Sequence, residues 1–334
     1  MIRTRRRPTT VLLLLTLTLL VVTAVSLDLG STRMSFAQVT ATLLGRGQWI
    51  DNLVIFDLRL PRLVLSILIG MGVATSGVIL QGITRNDLAG PDTVGVNAGS
   101  GLGMTFLLVA YPTAATALPW LLPVGSMVGA VAITTLVFAL AYRRGSVLPS
   151  RLLLVGIAIG FGAHAAMLLF SMRMSLSMYT FVVTWMSGTL SAGDWKSVRL
   201  LTPCCLVLIP IAVSRARVLN TFSLGDGVAT NLGVAVERQR LLLLGTATML
   251  TAACVAVGGH IGFLGLAAPH LARRLVGQRH GVLFPAAALC GAILLLLADS
   301  LGRHILAPIE IPAGVLVGIL GGAYFLYLLA TTKG

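Results

Sequence analysis

Arg62-Leu63-Val64-Leu65-Ser66-Ile67-Leu68-Ile69-Gly70-Met71-Gly72-Val73-Ala74-Thr75-Ser76-Gly77-Val78-Ile79-Leu80-Gln81-Gly82 carries its only charge at its first position. A helix needs about 20 mostly apolar residues to cross the hydrocarbon of a bilayer. The run is continuous rather than alternating, so it reads as a spanning helix and not as a barrel strand. Similar runs recur at 9–27, 94–111, 121–142, 151–172, 198–213, 240–258, a short glycine-rich 261–272, 282–302 and 311–330. The 334 residues are 57% hydrophobic and 10% charged, whereas a soluble domain is roughly 25% charged. This argues against a soluble enzyme and against disorder. The expected fold is all-α, a polytopic bundle of about ten helices, with one membrane domain over residues 1–334.

The net charge of +14 would suggest nucleic-acid binding in a soluble protein. Here the basic residues stand singly or in pairs between apolar runs, where arginine marks cytoplasmic helix ends. With the N-terminus inside, sixteen Lys and Arg fall on inner segments, including Arg3, Arg5, Arg6, Arg7, Arg144 and Lys333. Eight fall outside, among them Arg33. The bias predicts both termini inside and an even number of helices. Only Lys196 and Lys333 are lysines, so no phosphate-binding GxxxxGK loop can be written. The first run, Val11 to Val25, resembles a secretory signal ending at Ala24-Val25-Ser26. The membrane character of the whole chain favours an uncleaved first helix.

Three stretches leave the membrane: 28–61 and 173–197 outside, and 214–239 inside. The second holds Trp185 and Trp195 and reads as a helix lying in the interface, where tryptophan settles. The third is polar and long enough for two short helices. Gly95, Gly99 and Gly103, and likewise Gly314, Gly318 and Gly322, repeat every four residues, a spacing that suits close helix packing. The cysteines Cys204, Cys205, Cys254 and Cys290 lie in apolar stretches and read as buried thiols.

Chemistry-bearing residues inside the spans are few. His164 falls mid-span, and Asp299 with Arg303 form an i, i+4 pair near an outer helix end. No Asp or Glu is expected midway through a span, as an ion-coupled transporter would require. His260, His270 and His280 are expected at different levels. No pair of aspartates, Ser/His pair or HExxH is present for an intramembrane protease. These features read as a channel or transporter without its own energy source, pushed at its inner loop by a soluble motor and docked outside by an acidic partner.

Further motifs support a resemblance. Arg59-Leu60-Pro61-Arg62, Ser76 to Gly82 and Arg85-Asn86-Asp87-Leu88-Ala89-Gly90-Pro91-Asp92 come first. Gly95-Val96-Asn97-Ala98-Gly99, Trp185-Met186-Ser187-Gly188, Leu224-Gly225-Asp226 and Leu232-Gly233-Val234 follow. Ile261 to Leu266, Pro269 to Arg273, Leu297-Ala298-Asp299 and Ile311 to Val315 close the series. Together they resemble the FecCD-type permease subunits of binding-protein-dependent ABC importers for iron–siderophore, haem and cobalamin.

The resemblance implies a dimer of permeases, homo- or heterodimeric, in the bacterial cytoplasmic (inner) membrane. It implies two ABC ATPase subunits on the cytoplasmic face and a substrate-binding protein outside. ATP and Mg would belong to the ATPases, and this chain would bind no cofactor or metal and catalyse nothing. Arg59, Arg62 and Arg303 match arginines that receive acidic residues of the binding protein. Leu224, Gly225, Asp226, Asn231, Leu232 and Gly233, within 220–237, match the coupling helices that seat in the ATPase. Asn86, Leu88, Pro149 and Ser150 match the cytoplasmic gate, with Asp87 standing where the family usually has proline. The cargo implied first is an iron(III)–siderophore complex moved by alternating access, with haem or cobalamin the alternative. An ion-coupled secondary transporter is the rival of another class.

Overall fold

The computed structural model describes residues 8–28, 34, 36–112, 120–143, 146–191, 193–306 and 309–331. Arg3, Arg5, Arg6, Arg7, Arg33, Arg144 and Lys333, used in the topology count, lie outside the described residues. In chain order the helices are α1 Pro8–Asp28, α2 Phe36–Leu43, α3 Trp49–Asn52, α4 Leu60–Thr84, α5 Val96–Ala110, α6 Leu121–Ala141, α7 Pro149–Ser171 and α8 Leu176–Met186. They continue as α9 Trp195–Ser214, α10 Ala216–Phe222, α11 Asp226–Asn231, α12 Val236–Gly258, α13 Leu264–Val276, α14 His280–His304 and α15 Ala313–Thr331. A two-residue hairpin, Tyr142–Arg143 with Ser146–Val147, joins α6 to α7.

Every apolar run read from the sequence becomes a helix, and the class is all-α and polytopic. The number of membrane-length helices differs slightly from the expected ten. Seven of the described helices are long and apolar enough to cross a membrane. The runs at 94–111 and 261–272 give shorter apolar helices, α5 at 15 residues and α13 at 13, while 311–330 gives α15 at 19. At 1.5 Å per residue α13 extends about 20 Å, short of a hydrocarbon core of about 30 Å.

The reason lies in how the chain packs on α4. Its 25 residues are buried on most sides, and its broadest contact is with α14. Gly258, the last residue of α12, lies against Ile69, nine residues and about 14 Å from the start of α4. Gly265, at the start of α13, lies against Gly77 and Pro91. The α12–α13 turn therefore sits about midway along α4. The loop from Arg85 climbs back from the inner end of α4 to bring Pro91 to the same level.

Segment 173–197 is corrected in the same way. It holds α8, with Ser175 capping its N-terminus through the Met178 N–H. Its far end does not rest in the interface. The Trp185 carbonyl lies over Gly259, and the indole packs with Met104, Leu108 and Val182. Trp195 stays at the outer end, where its Nε1 donates to the Phe56 carbonyl at 2.7 Å. All four cysteines are free thiols, three of them buried.

The closest approach in the bundle is at Gly77, where a Cβ would lie 1.8 Å from the Gly265 carbonyl oxygen. Gly77→Ala is expected to cost about 1–3 kcal/mol, read as a lower Tm of the detergent-purified protein. An unchanged Tm would show that α13 is not seated on α4 in this way.

Candidate functional site

At the outer end two arginines share one acid and a third lies beside them. A π-helical turn, Leu53–Arg59, runs directly into α4 and buries Arg59, whose guanidinium donates to the backbone carbonyls of Leu27 and Asp28. One turn later Arg62 grips Asp299 on α14, with Nη2 and Nε 2.8 and 2.9 Å from Oδ1. Its Nη1 lies 2.9 Å from Glu310. Arg303 reaches Asp299 Oδ2 at 3.2 Å and donates to Ser26 Oγ on α1 at 3.0 Å. Asp299 is 1% exposed, and a carboxylate so buried persists only with such partners. The structure thus brings Arg59, Arg62 and Arg303 together, as the sequence suggested. It also engages each within the chain, so the cluster clamps α1, α4 and α14. The i, i+4 pair of Asp299 and Arg303 is present, but Arg62 is the closer partner of the acid. At the same end Asp194 caps α9 by accepting the Ser197 N–H at 2.8 Å. Burial raises its carboxyl most, but this hydrogen bond, the Ser197 side chain and the charge of Lys196 together outweigh it and hold the group below the ordinary range.

At the inner end residues 214–239 fold into α10 and α11, the two short helices expected there. Gly225 and Gly233 have φ of 104° and 81° and turn the chain before and after α11. Leu224, Val228 and Leu232 are exposed at four-residue spacing, and Asn231 is exposed beside them. This is an apolar stripe on the segment expected to face inward. Asp226 ties the segment to the bundle: one oxygen pairs with Arg85 at the end of α4, the other with Arg240 Nη2 at 2.8 Å. Arg240 is fully buried, and it also bonds Glu237 and the Val147 carbonyl and lies 5.7 Å from the Phe222 ring.

The gate turn adjoins Arg85. Asn86 Oδ1 accepts the Leu88 N–H at 2.9 Å, closing an Asx turn. Asp87, in place of the usual proline, pairs with Arg273 at 2.6 Å, and Arg273 also donates to Gln81 at 2.7 Å. The loop is therefore fastened to α13 by charge instead of by proline stiffness. Pro149 opens α7 at its first position, where its missing N–H costs nothing. Ser150 is exposed, and no hydrogen bond joins it to Asn86 among the described residues.

The expectation of no acid midway through the bundle is corrected by Asp92, which the returning loop carries to the level of the α12–α13 turn. His260 Nε2 lies 2.9 Å from Asp92 Oδ1. The three histidines do sit apart: His280 bonds Asn220 and His270 packs edge-on against Tyr324. The signal for Asp92 in sequence was the Gly90-Pro91 pair, which breaks the helix. Among the described residues no group of three His, Cys, Asp or Glu is arranged to hold a metal ion.

A polytopic bundle with a clamped outer end, half-depth turns and a protruding inner segment is a membrane permease. The sequence profile of the FecCD transport family matches residues 17–331, and the chain belongs to that family. It is 40% identical to the iron(3+)-hydroxamate import system permease protein FhuG of Bacillus subtilis, over 97% of each chain. It is 42% identical to the Fe(3+)-citrate import system permease protein YfmE of the same organism, over 98% of this chain and 96% of that one. The solved inward-facing structure of a metal-chelate type ABC transporter matches with a TM-score of 0.86 and 30% identity, over 96% of this chain and 99% of that one. The chain is accordingly an ABC importer permease subunit and a multi-pass protein of the inner membrane.

Asp299→Ala would leave Arg62 and Arg303 buried without their shared counter-ion. It is expected to cost about 3–5 kcal/mol, read as a large fall in Tm or loss of purified protein. A variant as stable as the wild type would show that the clamp does not hold α4 to α14.

Proposed function

We propose that two such permeases, two cytoplasmic ATPase subunits and an outer binding protein form one importer that carries an iron(III)–siderophore complex inward by alternating access. The observation that carries this reading is the inner segment. Its apolar stripe of Leu224, Val228 and Leu232 suits a groove in an ATPase, and Asp226 joins that segment to Arg85 beside the gate turn. Movement of α10 and α11 on ATP binding would thus reach Asn86 and Leu88 through one acid and one arginine. Pro149 and Ser150 form the other side of the gate. ATP and Mg stay with the ATPases, and the chain itself holds no cofactor and catalyses no reaction.

The outer arginines serve docking from within the clamp. Glu310, 38% exposed, occupies one edge of the Arg62 fork. An acidic side chain of the binding protein would replace it there, while Arg59 and Arg303 keep the site positive. Planar Arg–carboxylate contacts fix register and steer encounter. Cargo recognition then rests mainly with the binding protein, and weak contacts along the path suit passage.

Proteoliposomes holding the assembled complex test the reading. Ferric trihydroxamate delivered by its binding protein is expected to accumulate only with ATP and the ATPase subunits. Accumulation driven by an ion gradient without the ATPases, or of haem or cobalamin in its place, would overturn it. In the same vesicles Asp226→Ala is expected to leave ATP hydrolysis in place and lower cargo taken up per ATP by about 5–150-fold, the span of a typical coupling energy. An unaltered ratio would remove Asp226 from the linkage.

A further inference from the structure

Two cavities, of about 530 and 240 Å³, share four lining residues about midway along the bundle, Asp92, Thr93, Met186 and His260. The larger is otherwise mostly apolar, with Leu88, Ile261, Phe263 and Val315 in its wall. The smaller is closed on the α7 side by His164, whose Nδ1 bonds the Gly160 carbonyl at 2.8 Å. Asp92 Oδ1 is occupied twice, by His260 Nε2 at 2.9 Å and by the side-chain amide of Asn97. Asp92 Oδ2 has no partner among the described residues, and the side chain is 49% exposed at the junction of the two cavities.

The turn that carries His260 is strained. Phe263 has φ of 62°, one of two non-glycine residues with positive φ among the described residues, and Gly259 has φ of 69°. Backbone held in sparsely populated regions collects at functional sites. A pair that served only to tie two loops would not need an open carboxylate oxygen beside a cavity.

We propose that Asp92, oriented by His260 and Asn97, is the specificity contact of the translocation path, its second oxygen accepting a hydrogen bond from N–H or O–H groups of the passing chelate. This inference rests on the reading that the chain carries a ferric chelate. A carboxylate only accepts hydrogen bonds. It therefore welcomes the amide rim of a ferric hydroxamate and repels the carboxylate rim of ferric citrate, more strongly at low dielectric than in water. The relatives named for these two cargoes are 40% and 42% identical to the chain, so overall likeness does not separate the cargoes, and the proposal rests on the chemistry of Asp92 itself. One such contact discriminates by leaving a polar group unpaired when the wrong cargo passes.

The test uses the complete transporter in proteoliposomes, with a ferric trihydroxamate and ferric citrate each presented on a binding protein loaded with it. Cargo taken up per ATP is read for each. Asp92→Asn is expected to lower the trihydroxamate value about tenfold, the loss of one hydrogen bond to a charged group, and to leave or raise the citrate value. His260→Gln, which keeps a donor for Asp92, is expected to retain the wild-type ratio. Equal losses for both chelates would make the pair a structural tie and overturn the proposal, as would no change in either. A ratio shifted as far by His260→Gln as by Asp92→Asn would overturn it too. Should Asp92→Asn fail to assemble, Asp92→Ser carries the same expectation. A wild-type complex that takes up neither chelate would sink the ferric-chelate reading itself, and it would do so before any substitution is compared.

Discussion

A peptide group in hydrocarbon has no water to bond, so irregular backbone at membrane depth survives only where protein covers it. Three segments of this chain meet that condition by covering one another: the loop after α4, the end of α8 and the α12–α13 turn. The Gly314 N–H donates to the Gly188 carbonyl at 3.0 Å, and Gly188 lies against the His260 carbonyl. Removing any one layer would expose the backbone of the next. The close approach of Gly77 to Gly265 makes this stacking possible, because side chains between α4 and α13 would push the turns apart.

Charge is arranged around that core at two ends with different consequences. Outside, Asp299 is buried among Arg62 and Arg303 and holds three helices in one arrangement. Inside, Asp226 is partly exposed and bridges a protruding segment to the bundle. Exposed pairs hold weakly and buried ones are costly to break. The outer end is thus held firmly, while the inner linkage combines one exposed tie, Asp226 to Arg85, with one anchored on the buried Arg240. Asp87 and Arg273 add a second, half-buried tie in the loop after α4.

Much of the architecture was legible in the residues. Continuous apolar runs located ten of the described helices, and Gly225 and Gly233 bounded α11 because positive φ falls to glycine. Arg59, Arg62 and Arg303 were recognisable as a group by motif. Their burial was not, because Asp299, the acid that Arg62 and Arg303 share, is 237 residues from Arg62, and the carbonyls that hold Arg59 lie on α1. Segment 173–197 was identified as helical, but its depth was not, since tryptophan suits an interface and a packed core alike.

By itself the sequence determined the all-α membrane class, the orientation bias and the motifs of an importer permease, because hydropathy, charge count and turn residues act locally along the chain. Only the tertiary structure decided which helices cross completely and which turn back halfway. It alone carried Asp92 from the loop after α4 to the side of His260 and opened two cavities beside them. Depth in a bundle is set by what each helix packs against, and the partners of Gly265, Pro91 and His260 lie far from them in sequence.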